Sequence, residues 1–470
     1  MEEALMVVQK FGGSSVEDAS KIREVAKIAL EHRTDGKIAI VLSAMKGCTD
    51  LLLQAAKDAE AGRACYHDAL ATLEKRHLDA AMDLTKNEHY SGLRRSLETQ
   101  LKDLRDILHG VELVKECSKR SLDLIAGFGE RLNCQLMAGY LRGAGHEAHY
   151  IDASKNFIIT NDRHGAAEVD FEATYRAVES TLKPLNGVMV ITGFVASTAE
   201  GRPTTLGRNG SDYTASLVGA AIRADAVEIW KDVDGVLTAD PRFVQGTLVL
   251  DEISMEEAME MSYFGAKVIH PSTMLPLLER GINLRIKNTL NPSVKGTLIK
   301  QNPRPHPYPI TGIASISDAA LINIEGSGMI GIPGFASRVF GALARAQVNI
   351  IMISQASSEH SICIVCREAE AQAALSALRK ELKVEHEAKK LKDCELIAGL
   401  EVIAVIGDNM RGRPGITGKL FSSLGAKNIN VLAIAQGSSE RNISFVIESK
   451  DREVALNTIH TAFLGNGGRP

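Results

Sequence analysis

Apolar residues follow two different periods along this chain. Short, nearly unbroken apolar runs at 38–44 (IAIVLSA), 187–196 (GVMVITGFVA) and 226–230 (AVEIW) read as strands buried on both faces. Between them the period becomes helical. Residues 17–31 place Ile22, Val25, Ile28 and Ala29 on one face, and residues 211–223 do the same after Gly210. This alternation predicts an open α/β sheet covered by helices. Residues 51–118, polar and rich in Leu and Ala at helical spacing, predict a helical excursion beside that sheet with no chemistry visible in it. Pro303, Pro305, Pro307 and Pro309 then crowd the stretch 300–310. Proline neither continues a helix nor donates to a central ladder, so this stretch reads as a linker.

Beyond the linker the chain repeats itself. NIIMISQASSEHSICIV (349–365) aligns without a gap on NVLAIAQGSSERNISFV (430–446), at a constant offset of 81 residues. The match extends upstream through Gly326 and Gly407, Met329 and Met410, and Pro333-Gly334 and Pro414-Gly415. Each copy reads strand, Gly/Pro loop, helix, strand, turn, strand, helix, the order of a ferredoxin-like unit. Two copies make a pair, not a solenoid. The expected division is 1–300, 301–392 and 393–470.

Composition narrows the classes. The 470 residues carry a net charge of −4, so no global basic field points to nucleic acid. Aromatics are 4%, too few for base-stacking platforms. No stretch is long and apolar enough for a membrane span. The N-terminal MEEALMVVQKF carries two acids and enters a strand, unlike a signal peptide, so a cytoplasmic protein is expected. Seven scattered cysteines form no disulfide framework. Cys363 and Cys366 are three apart in a strand-like stretch and face opposite sides, so they read as buried small hydrophobes before a metal or redox pair.

Candidate chemistry lies where strands end, since ligands in open α/β sheets bind beyond the strands' carboxyl ends. In VVQKFGGSSVEDASKI (7–22), Lys10 and Gly12-Gly13 sit where a strand turns into a helix. Glycines admit close backbone N–H groups, the helix start is partly positive, and the lysine adds a full charge, so a phosphate fits. The alternative is a turn capped by Ser15 with Asp18 as a capping box. The order is not that of GxxxxGK[ST], because the lysine comes first. LSAMKGCTD (42–50) offers Ser43 and Thr49 to phosphate or substrate, or is a plain polar loop. In GFGERLNCQL (127–136), Glu130 opens a helix, where a carboxylate is favoured by the dipole anyway; the functional alternative is a partner for a substrate ammonium. In TTLGRNGSDYTASL (204–217), Arg208 between glycines suits a carboxylate, and Asp212 either caps a helix or holds Lys10. EIWKDVDGVLTADPR (228–242) ends a strand in an acidic turn that suits a nucleotide, although Asp232 and Asp234 also suit an ordinary turn.

Taken together, KFGGSSV, GFGERL, LGRNGSDYTA, KDVDGVLTADPR and SYFGAKVIHP, in this order and followed by the repeat, resemble the aspartate kinase family over essentially the whole chain. The resemblance implies an α/β fold: an αβα sandwich amino-acid kinase domain followed by two ferredoxin-like (α+β) ACT domains. It implies transfer of the γ-phosphoryl group of ATP to L-aspartate, with Mg2+ carried on the nucleotide phosphates and no dedicated protein cage for it. By resemblance, Lys10 faces the transferring phosphoryl group and Asp212 orients it. Thr49, Glu130, Arg208 and Ser211 fall on aspartate positions. Gly12, Gly13, Ser14, Ser43, Lys231, Asp232, Leu237, Arg242 and Lys267 fall on nucleotide positions. Lys231 and Leu237 depart from the family's common Thr/Ser and Tyr, which puts their side-chain contacts in question. Met329, Gly331, Pro333, Gly334, Gln355 and Gln436 fall on effector positions, with threonine favoured and lysine as the second choice. Paired ACT units imply a homodimer or larger. Two rivals stand beside this reading. One is another amino-acid kinase acting on glutamate or acetylglutamate, which GFGERL with LGRNGSDYTA disfavours. The other is a catalytically dead amino-acid sensor, disfavoured by the joint presence of Lys10, Glu130, Arg208 and Asp212.

Overall fold

A computed structural model describes residues 6–31, 37–265, 269–329, 331–355 and 360–465. They form two compact units. The first comprises residues 1–236, 251–255 and 268–303, and the second 237–250, 256–267 and 304–470. The second unit is therefore discontinuous, unlike the expected division at 300. Two stretches upstream of the linker join it: Ala239 and Val244 share a core with Ile403, Ile459 and Phe463, while Glu257 accepts the Asp408 N–H and Glu260 accepts from Asn442 Nδ2.

The first unit holds an eight-stranded sheet. Its strands are β1 (Val7–Phe11), β2 (Lys37–Leu42), β3 (Ala148–Ile151), β5 (Gly187–Thr192), β8 (Ala226–Lys231), β9 (Glu252–Ser254), β10 (Asn283–Asn288) and β11 (Thr297–Lys300), ordered β3-β5-β2-β1-β8-β10-β11-β9. Neighbours run parallel except β10 and β11. Strand β2 is buried almost throughout, as its unbroken apolar run predicts. The run 187–196 is not one strand. It breaks at Gly193 and Phe194, and the rest becomes β6 (Val195–Thr198) in a second small sheet with β4 (Ile159–Thr160) and β7 (Pro203–Thr205). The break is steric: a Cβ on Gly193 would lie 2.5 Å from Ser211 Cβ, and Phe194 takes φ 68°.

The helices of this unit are α1 (Ala19–Glu31), α2 (Cys48–Glu60), α3 (Tyr66–Leu84), α4 (Asn87–Val114), α5 (Lys119–Ala126), α6 (Phe128–Gly143), α7 (Phe171–Leu182), α8 (Gly210–Ala221) and α10 (Pro271–Arg280); α9 (Met255–Tyr263) lies mostly in the second unit. The excursion is helical as expected. Leu93, Leu97, Leu101, Leu104, Leu108 and Val111 form one stripe of α4, buried in the same core as Ile22 and Ile40. The capping box at Ser15 does not form. Asp18 Oδ1 accepts the Lys21 N–H at the start of α1, while Ser15 Oγ bonds Thr289 Oγ1 at 2.9 Å.

The second unit is built on a six-stranded sheet, β13-β14-β12-β15-β17-β16. The first repeat supplies β12 (Gly312–Glu325), α11 (Phe335–Arg345), β13 (Ile350–Gln355), β14 (Ser361–Arg367), α12 (Glu368–Glu381) and the short α13 (Lys383–Glu387). The second supplies β15 (Glu395–Ile406), α14 (Ile416–Gly425), β16 (Ala433–Gln436), β17 (Asn442–Glu448) and α15 (Arg452–Leu464). The two repeats interlock. Residues 312–316 of β12 pair with 402–406, on the side of the second repeat, whereas 319–325 pair with β14 of the first. Ile310 and Ile313 accordingly sit in the second repeat's core, and Cys394 in the first repeat's core. Cys366 is buried in β14 and Cys363 half-buried, on opposite faces as the spacing requires. Among the described residues no helix is long and apolar enough to cross a membrane.

Candidate active site and effector cavity

Strand β1 lies between β2 and β8, so its carboxyl end opens at the middle of the sheet. Lys10 is its penultimate residue. Its Nζ lies 2.6 Å from Asp212 Oδ1, and Lys231 Nζ, from the end of β8, lies 3.3 Å from Oδ2. Asp212 is 2% exposed. It sits in the first turn of α8 without capping it, so of the two sequence readings the lysine pairing is the one present. Burial opposes its ionisation, but Lys10 and then Lys231 outweigh burial and hold the carboxyl below its usual range. Burial pulls the Lys231 ammonium down, with Asp212 opposing. The departure at Lys231 thus places a second cation on the same carboxylate.

A cleft of about 360 Å3 opens beside this pair. Among its lining residues are Lys10, Gly13, Ser43, Thr49, Glu130, Ser211, Asp212 and Lys231. Gly13 is required by close approach: a Cβ there would lie 2.7 Å from the Ala44 carbonyl oxygen, in the loop after β2. That loop is tied by Lys46 N–H to Gly13 O and by Asn133 Nδ2 to Ser43 O at 2.7 Å.

Glu130 is 3% exposed at the start of α6, and its Oε2 has no hydrogen-bond partner among the described residues. Burial pushes its carboxyl up to about 7, with the N–H groups of Ala44 and Glu130 itself offsetting only part. A buried carboxylate with a free oxygen facing a polar cleft is an incomplete site, and a cationic group would complete it.

Other expected residues do not line the cleft. Gly12, Ser14, Arg208 and Asp232 are not among the lining residues. Arg208 is exposed in the loop 206–209 and has no partner among the described residues. Asp234 accepts from Asn288 Nδ2 at 2.7 Å, which ties the loop after β8 to the end of β10. Leu237 and Arg242 belong to the second unit, where Arg242 pairs with Asp240. Lys267 lies outside the described residues.

Two contributors escaped sequence reasoning. Phe194 lines the cleft in a left-handed backbone conformation, uncommon for a bulky residue and a frequent mark of a functional turn. The glycine before it was the only local hint. Arg76, from α3, donates to the carbonyls of Lys46 (3.2 Å) and Glu17 (3.4 Å), so the excursion grips both loops beside the cleft. Nothing local marks such a contact.

In the second unit, a cavity of about 300 Å3 lies between the Gly/Pro turn and β13. It is lined by Met329, Gly331, Pro333, Gly334 and Gln355, with the start of α11 at one wall. Gln436, at the end of β16, is exposed and does not line it.

Comparison with known proteins places the fold in a family. The model of the amino acid kinase family matches residues 6–288, and that of the ACT domain matches 322–382 and 403–463. The chain is 37% identical over 464 residues to bifunctional aspartokinase/homoserine dehydrogenase 2, chloroplastic, of Arabidopsis thaliana, covering 97% of this chain and 50% of that protein. It is 34% identical to aspartokinase 3, chloroplastic, of the same plant, covering 98% of this chain and 82% of that one. It spans about half the length of the bifunctional plant relatives it matches. Among solved structures, E. coli aspartokinase III with aspartate and ADP (R-state) superposes with a TM-score of 0.81 at 29% identity, covering 97% of this chain and 99% of that one. The same enzyme with lysine and aspartate (T-state) gives 0.77 at 30% identity, with the same coverage.

Proposed function

The chain belongs to the aspartokinases of the amino acid kinase family, and from that premise we propose that it phosphorylates the side-chain carboxylate of L-aspartate with ATP, giving ADP and 4-phospho-L-aspartate. The observation that carries this reading is Glu130: a buried carboxylate with a free oxygen, in the same cleft as two lysines that share one aspartate. The first feature suits an α-ammonium and the second a phosphoryl group, so the cleft has the two ends that an amino-acid kinase needs.

Phosphoryl transfer needs positioning and charge stabilisation more than covalent help. The Lys10 ammonium, oriented by Asp212, offsets negative charge that grows on the γ-phosphate oxygens. Lys231 adds a second positive charge from the other side of Asp212. Backbone N–H groups around Gly12, Gly13 and Ser14, with Ser43, cradle the phosphates. Glu130 takes the α-ammonium, and Arg208, Thr49 and Ser211 the carboxylate end. The acceptor carboxylate is already ionised at neutral pH, so no general base is needed. Asp232, Leu237, Arg242 and Lys267 stay assigned to the nucleotide by resemblance alone. Among the described residues no three His, Cys, Asp or Glu gather as metal ligands, and the nucleotide's own phosphate oxygens suit a hard Mg2+.

The second unit is assigned to feedback by an amino acid, the reaction opening a route to lysine, threonine and methionine. The cavity at Met329, Gly331, Pro333, Gly334 and Gln355 offers a helix start for a carboxylate and an amide for an ammonium or hydroxyl. Among the described residues no carboxylate lines it, which favours threonine over lysine, a ligand in the E. coli T-state structure. Gln436 is the corresponding residue of the second repeat. Self-association is expected through the repeat pair, where Ile353 and Ile434 are exposed although β13 and β16 meet within the chain, Ser354 Oγ donating to the Ile434 carbonyl at 2.9 Å. The test is chemical: an acyl phosphate formed from aspartate is trapped by hydroxylamine as a hydroxamate. Hydroxamate that requires both ATP and aspartate supports the proposal, and ATP loss without it argues for another acceptor.

A further inference from the structure

We propose that Asp123 is a positioning residue for recognition of the amino-acid substrate, fixing the loop that carries Arg208 against the helix that carries Glu130. The proposal rests on the functional reading above and names how this chain holds the two ends of that substrate apart.

Asp123 lies in α5 and is 5% exposed, though nothing in the phosphoryl-transfer scheme uses it. Both of its oxygens are engaged. Oδ1 accepts from Thr205 Oγ1 at 2.6 Å, and Oδ2 faces His164 Nδ1 at 2.9 Å. The Gly165 N–H is shared, at 3.1 and 3.0 Å. A buried carboxylate is expensive to desolvate, and this one is held by several hydrogen bonds from three different residues.

Those bonds join segments remote in sequence. Thr205 ends β7, three residues before Arg208, and its carbonyl accepts the Ala167 N–H at 3.1 Å. Gly165 and Gly207 run side by side, since a Cβ on Gly207 would lie 3.5 Å from the Gly165 carbonyl oxygen. On the other side, the Asp123 carbonyl accepts the Gly127 N–H at 3.2 Å, at the N-cap of the Glu130 helix. Gly207, Asn209 and Glu130 all line the cleft. The carboxylate therefore ties the support of the carboxylate site to α5, and α5 runs through the Asp123 carbonyl into the helix that carries the ammonium site. A substrate with charges at both ends is read by the separation of those sites, so loosening Asp123 weakens recognition of the acceptor more than handling of ATP.

The test is steady-state kinetics of the full chain with aspartate and ATP varied separately, for wild type, Asp123→Asn and Thr205→Val. Asp123→Asn removes the charge and turns one of the two acceptor oxygens into a donor facing donors. It is expected to raise the KM for aspartate about tenfold or more, from the loss of one or more charge-assisted bonds. The kcat and the KM for ATP should stay within about twofold. Thr205→Val removes one bond of the set and should move the same parameter in the same direction by roughly threefold; it carries the test alone where the first variant does not fold. A KM for aspartate that is unchanged, or that moves no more than the KM for ATP, overturns the proposal. Wild type without aspartate-dependent turnover overturns the functional reading and this proposal with it, so the two failures are distinguishable.

Discussion

The cleft of the first unit and the cavity of the second are both built where a strand turns through glycines into a helix, yet they are furnished differently. The cleft gathers Lys10, Lys231, Asp212 and Glu130 in and around buried positions. The described residues that line the cavity are Met, Gly, Pro, Ile, Phe, Ala and one Gln, with no charged side chain among them. Full charges placed before the ligand arrives cost desolvation, and are worth that cost where charge develops during a reaction. A zwitterion that is only held needs fixed dipoles and a fitting shape. On the proposed function, the difference is that between a site that changes its ligand and one that senses it.

The cleanest break of this contrast is Lys10→Ala. Loss of the charge on the transferring group should cut kcat roughly 10^3-fold, the scale of removing one preorganised electrostatic group, and leave the melting temperature of the second unit unmoved. A kcat within tenfold of wild type removes Lys10 from the assigned role.

Glu130→Gln comes next, with an expected rise in the KM for aspartate of roughly 10^2-fold from loss of a desolvated ion pair. It also carries a pH signature. Burial raises the Glu130 carboxyl from 4.5 to about 7. The ionised form binds an ammonium, so wild-type KM for aspartate should fall as pH rises from 6 to 8. For the unliganded protein the sign is opposite. The raised group contributes stability below pH 4.5 that is lost as pH rises through about 7. Glu130→Gln should flatten both profiles, read by kinetics and by thermal melting.

Gln355→Ala is expected to raise the threonine concentration for half-inhibition about tenfold, with kcat changed less than twofold. Gln436→Ala should do less. The second repeat's turn is closed by its own side chains: Arg441 pairs with Asp408, Glu440 accepts the Gly412 N–H, and Asn409 donates to the carbonyls of His306 and Tyr308. Equal effects from the two glutamines would make the repeats equivalent sensors. The smallest expected effect is that of Lys231→Thr, a rise of a few-fold in the KM for ATP with Lys10 still paired to Asp212.

Much of this was legible in the sequence because its signals are local. The buried run of β2, the stripe of α1, the proline-rich linker and the offset of 81 residues each lie in one continuous stretch. Lys10, Glu130 and Asp212 were marked by residue type at strand ends or helix starts. What escaped depends on partners far along the chain. Periodicity gives no sign that β12 and β15 each serve both repeats, or that 237–250 packs with the C-terminal core. Ser15 read as a cap because capping is a local pattern, and the residue that claims it is Thr289. Lys231 departs from the Thr or Ser common in the family, and its ion pair was not legible because its partner, Asp212, lies on another element.

The most direct measurement is ADP release by the full chain with ATP and L-aspartate, beside L-glutamate and N-acetylglutamate as acceptors, in wild type and Lys10→Ala. The account predicts turnover with aspartate, little with the other two, and near-complete loss in the variant. Turnover that prefers glutamate or acetylglutamate, or none in a folded wild-type protein, would contradict it.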